Sequence, residues 1–244
     1  MQLTAQARRV PAAFVFFYFL GSVVHAQHVP APEGLDADAA INRLLAGNAR
    51  YVAQPQRMTH ENQDAARRVG LAGGQHPFAA VLSCSDSRVP PEVIFDQGLG
   101  DLFVVRVAGN VASKEAVASL QYAVDPAHHV ETKLVLVLGH ESCGAVDATL
   151  GTLATPGNAG GYLSSLVSFI LPAAKAATGA DAAAKLDSAV RINVENAAKA
   201  LIASQPILAP EASSHRIKIV GGRYDLHSGR VQLWYPSTGW QPLH

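Results

Sequence analysis

The chain has two cysteines, and both stand among polar and charged residues. Cys84 opens the run Cys84-Ser85-Asp86-Ser87-Arg88, and Cys143 closes His140-Glu141-Ser142-Cys143. Two thiolates and one imidazole are a ligand set suited to zinc. Three protein ligands leave the fourth position open, which marks a catalytic rather than a structural zinc. His140 and Cys143 stand three apart, so at the start of a helix they share one face. A helix N-terminus also favours the thiolate of Cys143. Asp86 and Arg88 are close enough in sequence to meet as a bidentate carboxylate–guanidinium pair. Such a pair keeps the aspartate ionised and in one orientation. It can then take the hydrogen bond of a zinc-bound water and aim the oxygen lone pair at a substrate.

These residues need elements that bring them to one point. Asp36 to Val52 has helical periodicity, with Ala39, Ile41, Leu44, Leu45 and Ala49 on one face. Thr59 to Leu71 reads as a second, more polar helix, with Thr59 and Asn62 at its entry and Gly73-Gly74 at its end. Phe78–Ser83, Leu102–Val107 and Lys133–Leu138 are short apolar runs separated by helical stretches, among them Lys114–Val124. Strands that are apolar throughout predict a mostly parallel central β-sheet flanked by helices, an α/β fold. Cys84 then follows the first strand and His140 the third. The carboxyl ends of strands are where open α/β sheets present ligands. A helix starts at Cys143, a glycine-rich break spans Gly151 to Gly161, and two longer helices follow, at Tyr162–Ala177 and Ala182–Ser204. Ile217–Gly221 and Val231–Tyr235 read as strands of a late hairpin, joined through Tyr224-Asp225-Leu226-His227-Ser228-Gly229.

The first 26 residues have a different character. Arg8 and Arg9 precede an apolar run from Phe14 to Val24, and Val24-His25-Ala26 supplies a small-residue cleavage pattern. This predicts a signal peptide over 1–26, a flexible lead-in over 27–35 and a single catalytic domain over 36–244. The apolar run is shorter than the roughly 20 residues of a membrane span. The expected location is the periplasm, with no membrane attachment once the signal is removed. Of 19 basic and 19 acidic residues, only Arg8 and Arg9 fall within 1–26, so the remainder carries a formal charge of −2. With no basic cluster, nucleic acid is not an expected partner. Two cysteines in an oxidising compartment also permit one disulfide. A plain staple, however, needs no neighbouring Asp-x-Arg or His, and bound zinc would itself protect the thiolates.

Four runs together carry a family resemblance: Cys-Ser-Asp-Ser-Arg-Val from Cys84, Phe-Asp-Gln-Gly-Leu-Gly-Asp-Leu-Phe-Val-Val-Arg-Val-Ala-Gly-Asn from Phe95, Gly-His-Glu-Ser-Cys-Gly-Ala-Val from Gly139, and Val-Gly-Gly-Arg-Tyr-Asp-Leu-His-Ser-Gly-Arg-Val from Val220. They resemble a β-class carbonic anhydrase, here of an exported bacterial type, from about Ala39 to Leu233. The resemblance implies reversible hydration of carbon dioxide to bicarbonate and a proton by attack of a zinc-bound hydroxide. It implies one Zn2+ per chain on Cys84, His140 and Cys143, with Asp86 and Arg88 as the orienting dyad. It further implies a homodimer or a dimer of dimers.

Other positions follow from the same resemblance. Gln75 matches a glutamine that donates a hydrogen bond to substrate in some members. Phe103 and Tyr122 match aromatics lining the cleft across a dimer contact, and Gly144 offers a backbone N–H near the metal. Val81 stands where members with an inhibitory bicarbonate pocket carry tryptophan, although that pocket's arginine is present as Arg106. His128 and His129 can relay protons or lie idle on a loop. Two further readings use the same ligands: a hydrolase of carbonyl sulfide or carbon disulfide, and a non-catalytic zinc-binding protein of the periplasm.

Overall fold

In the computed structural model the residues described are 34–53, 63–128, 130–155 and 160–242. The signal segment, most of the lead-in, Thr59, Asn62 and His129 lie outside them.

The sheet is built from strands β1 (Ala79–Ser83), β2 (Leu102–Arg106), β3 (Leu134–His140), β4 (Lys218–Tyr224), β5 (Val231–Tyr235) and β6 (Gly239–Trp240). Their spatial order is β2-β1-β3-β4-β5-β6. The first four are parallel, and β5 and β6 are added antiparallel. Every residue of β1 and β3 is buried. That is what strands covered on both faces require.

Side-chain alternation divides these strands between two cores. Val81, Leu134, Leu136, Leu138 and Val220 point to one face. There they meet Ile41 and Leu44 of helix α1 (Ala37–Ala53). Leu82, Val135, Val137 and Ile219 point to the other. They pack on Leu120 and Val124 of α4 (Lys114–Val124) and on Val194 and Leu201 of α7 (Ala182–Ile202). Leu136 and Leu138 are essentially without solvent exposure, so cutting either to alanine would cost about 2–5 kcal/mol.

The remaining helices are α2 (Ala65–Gly70), α3 (Pro91–Ile94), α5 (Gly144–Ala154), α6 (Leu163–Ala176) and α8 (Leu208–Ser213). Helix α2 begins later than the sequence pattern implies. Its cap is Asp64, whose carboxylate accepts from Arg67 N at 2.7 Å. Helix α5 runs through Gly151 to Ala154, which shortens the expected glycine-rich break. Short α3, α8 and β6 have too few residues to show a period. Among the described residues no helix is long and apolar enough to cross a membrane.

The chain order creates the place for a site. From β1 it moves outward to β2, then crosses back to lay β3 on the other side of β1. The crevice at the carboxyl ends of β1 and β3 is thus a topological switch point. Ser83 is level with Leu138 of β3. Cys84 therefore leaves the sheet beside the last residues of β3, where His140 stands.

Candidate metal centre

Cys84, His140 and Cys143 converge, with ligand atoms all within 4.8 Å of one another. The two sulfurs lie 4.0 Å apart and both thiols are free. All three residues are buried, His140 completely. His140 is the last residue of β3, not a residue beyond it, and Cys143 is the N-cap of α5. The expected shared helical face is therefore not what joins them. A tight turn does so, with Ser142 in the left-handed region at φ 53°.

The imidazole shows what the centre is built to hold. His140 Nδ1 pairs with the carbonyl of Glu141 at 2.8 Å. A carbonyl only accepts, so Nδ1 carries the proton and the Nε2 lone pair is free. Nε2 is buried and, among the described residues, has no hydrogen-bond partner. A buried acceptor without a partner costs free energy unless something occupies it. A soft divalent cation between two sulfurs and this nitrogen answers the need, so the donor set fits zinc.

Electrostatics agree. The hydrogen bond with Cys143 draws the Cys84 thiol down to about 4 against the opposing effect of burial. The backbone N–H groups of Asp86 (3.5 Å) and Gly109 (3.3 Å) add to that stabilisation. The same sulfur–sulfur bond pushes Cys143 up, with burial and the Cys84 charge reinforcing it. One thiolate is thus prepared by the protein alone, and a coordinated cation would deprotonate the second.

Asp86 and Arg88 stand beside this centre. Arg88 Nε donates to Asp86 Oδ1 at 2.9 Å and Nη2 to Oδ2 at 2.7 Å. The Arg88 hydrogen bonds hold the Asp86 carboxyl far below the usual carboxylate range. Asp86 Oδ2 is 3.8 Å from His140 Nε2. An ionised, oriented carboxylate therefore sits at the edge of the ligand set.

Three residues that hold the site were not singled out for that work by the sequence. Arg106, at the end of β2, donates from Nε to the carbonyl of Cys84 at 3.0 Å and from Nη2 to that of Asp86. It pins the loop carrying both. An arginine ending an otherwise apolar strand was the available signal. Gly109 sits at φ 71°, and a Cβ there would meet Ile170 Cδ1 at 2.7 Å. Glycine adopts this φ without strain and brings its N–H to Cys84, and Gly-Asn after a strand is a turn signal. Glu141 had no signal beyond its place between two ligands.

The substrate positions divide. Gly144, first residue of α5, faces open space, with nothing within 4 Å of a built Cβ. Gln75 and Phe103 are not brought to the centre by their own chain. Gln75 is exposed and precedes β1, and Phe103 pairs with Ala80 near its start. From Ala80 to Ser83 is about 10 Å along a strand, at 3.3 Å per residue. Tyr122 clusters with Phe103, ring centroids 6.2 Å apart, and stacks on His128 at 4.5 Å.

Residues 79–231 match a family model described as carbonic anhydrase. "Carbonic anhydrase 2" of Mycobacterium tuberculosis is 38% identical over 196 residues, spanning 80% of this chain and 91% of that one. The β-carbonic anhydrase of Coccomyxa, solved with acetazolamide, superposes with TM-score 0.59 at 28% identity, covering 79% of this chain and 82% of that one. This chain belongs to the β-class carbonic anhydrase family. A tetrameric β-carbonic anhydrase of Sordaria macrospora shares the fold, with TM-score 0.60 at 24% identity over 80% of this chain and 96% of that one. The family match takes in Cys84, Asp86, Arg88, His140 and Cys143, so the geometric centre lies within the β-carbonic anhydrase unit.

Proposed function

We propose that this β-carbonic anhydrase hydrates carbon dioxide reversibly to bicarbonate and a proton, with one zinc ion on Cys84, His140 and Cys143. The observation that carries the reading is the buried Nε2 of His140, without a hydrogen-bond partner among the described residues and close to two thiols beside a carboxylate locked by Arg88. Zinc bound there supplies a Lewis acid that brings the pKa of a bound water from 15.7 to about 7.

The chain's own residues do the rest. Glu141 holds the Nδ1 proton of His140, which fixes the tautomer that can ligate. Asp86 stays anionic and accepts one hydrogen bond from the attacking oxygen, which turns a lone pair toward the carbon of the substrate. Arg88 keeps Asp86 at that post and out of the ligand set. Gly144, next to Cys143 and with open space on its Cβ side, would offer its N–H to a substrate oxygen. The proton leaves to solvent or buffer. Stopped-flow hydration of carbon dioxide by zinc-loaded protein tests the reading, and a rate no higher than buffer alone would overturn it.

Two finer points belong to the same proposal. The chain acts as a homodimer or a dimer of dimers, in which Gln75, Phe103 and Tyr122 reach the cleft from the partner chain. The separation of Gln75 and Phe103 from the centre of their own chain supports it, as does the tetrameric Sordaria relative. Light scattering showing a monomer at working concentration would count against it. Residues 1–26 direct the enzyme to the periplasm and are removed there. Arg8-Arg9, the apolar run and Val24-His25-Ala26 support this.

A further inference from the structure

The residue after His140, Glu141, is tied down through its N–H, its carbonyl and its carboxylate. Its N–H donates to Tyr224 O at 2.9 Å. Its carbonyl accepts from His140 Nδ1 at 2.8 Å. One carboxylate oxygen, Oε2, accepts from Leu226 N at 3.0 Å and pairs with His227 Nδ1 at 3.0 Å. Leu226 and His227 belong to the turn between β4 and β5. That turn is closed by its own hydrogen bonds. Asp225 N donates to Arg230 O, and Gly229 N donates to Asp225 O, both at 2.9 Å. Asp225 Oδ1 takes the N–H and hydroxyl of Ser228, and Arg223 Nη1 donates to Oδ2 at 3.1 Å.

We infer that Glu141 is a positioning residue that ties the β4–β5 turn to the His140 imidazole and so sets the zinc affinity of the centre. The reasoning is geometric. The turn from His140 to Cys143 contains a left-handed residue, Ser142, which is exposed and has no side-chain hydrogen bond among those described. Glu141 is therefore the one side chain inside this turn that anchors it elsewhere. A free peptide at Glu141 could rotate its carbonyl away from Nδ1. The ring would then lose both its tautomer preference and its angle. Partners that orient a ligating histidine typically change metal affinity 10–100-fold when removed. The His227 contact is the lesser of the two: its side chain is mostly exposed, whereas the Leu226 N–H is backbone and cannot swing away.

The inference rests on zinc binding by Cys84, His140 and Cys143, and one experiment reports on each separately. Zinc is titrated into wild type, Glu141→Ala, Glu141→Asp and His227→Ala against a chromophoric chelator, and the visible spectrum of the cobalt-substituted proteins is recorded. One tight zinc per wild-type chain supports the site itself, and the ratio of variant to wild type reports on Glu141. The expected result is a zinc dissociation constant raised on the order of 10-fold in Glu141→Ala, with a shifted cobalt spectrum. Glu141→Asp, whose shorter arm falls away from the Leu226 N–H, should show a similar loss, and His227→Ala little change. A folded Glu141→Ala with wild-type affinity and spectrum overturns the inference. If that variant does not fold, Glu141→Asp decides alone: weaker zinc binding upholds it and wild-type binding overturns it.

Discussion

Arg88 grips Asp86 at three points, through Nε, Nη2 and its own backbone N–H, at 2.9, 2.7 and 3.0 Å. The pair is more than half open to solvent on the arginine side, where an isolated ion pair adds little stability. Its value lies in orientation. Asp86 Oδ2 is already 3.8 Å from His140 Nε2, so an aspartate released from Arg88 has a short path into the ligand set.

Removing Arg88 should therefore poison the centre rather than empty it. Arg88→Ala is expected to keep its zinc and lose activity by roughly two orders of magnitude, the scale of losing a positioned proton acceptor. Metal analysis beside stopped-flow rates checks this. Asp86→Ala should lose a comparable factor at full zinc content. Unimpaired hydration in that variant would instead remove Asp86 from the mechanism.

The ligands themselves should behave differently. Cys84→Ser or Cys143→Ser exchanges a soft thiolate for a poor hydroxyl donor, and each should lose both zinc and activity. Chelator treatment of wild type should do the same, with recovery on adding zinc. Sulfide release from carbonyl sulfide, assayed on the same samples, would separate the hydration reading from the sulfur-substrate one.

Gly109→Ala tests the backbone support of Cys84. The new methyl group would stand 2.7 Å from Ile170 Cδ1, at a φ of 71° that side chains avoid. A cost of about 1–3 kcal/mol is expected, read as a lower unfolding midpoint in urea. Zinc affinity should fall as well, since the N–H to Cys84 Sγ moves with the backbone.

Acid stability should depend on Glu211. Arg216 Nε donates to its Oε2 at 2.6 Å and Nη2 to Oε1. The Arg216 bonds lower the Glu211 carboxyl from its usual value. A depressed carboxylate stabilises the fold fully above its unfolded pKa and loses that contribution as pH falls through the folded one. Glu211→Gln should therefore be less stable than wild type by about 1 kcal/mol at neutral pH, a charged hydrogen bond discounted for the exposed Arg216. The difference should shrink toward zero in strong acid. Urea unfolding at pH 7 and pH 3 measures both.

If residues 1–26 are an export signal, mass spectrometry of protein recovered from the periplasm should find an N-terminus at Gln27. Full-length protein in the cytoplasm would remove the export proposal.

Composition and order alone determined the chemistry of this protein. Two cysteines, one histidine and an Asp-x-Arg can be read as a zinc centre because ligand softness and charge are properties of residue type. The parallel sheet was legible too, since strands buried on both faces must be apolar at every position, as β1 and β3 are. What the tertiary structure decided is how the parts are held. His140 and Cys143 meet through a left-handed Ser142 and not along a helix, because β3 runs two residues further than its apolar residues announce. Arg106 acts on the centre through the carbonyls of Cys84 and Asp86, Gly109 through its own N–H to Cys84 Sγ, and Glu141 through its tie to the distant Leu226 N–H. Such contacts leave no period or motif, because they depend on where the chain's other strands happen to end. Gln75 and Phe103 stand apart from the centre for a related reason: β1 carries the loop before it and the cysteine after it to opposite ends of the strand, and Phe103 lies level with Ala80 near the far end.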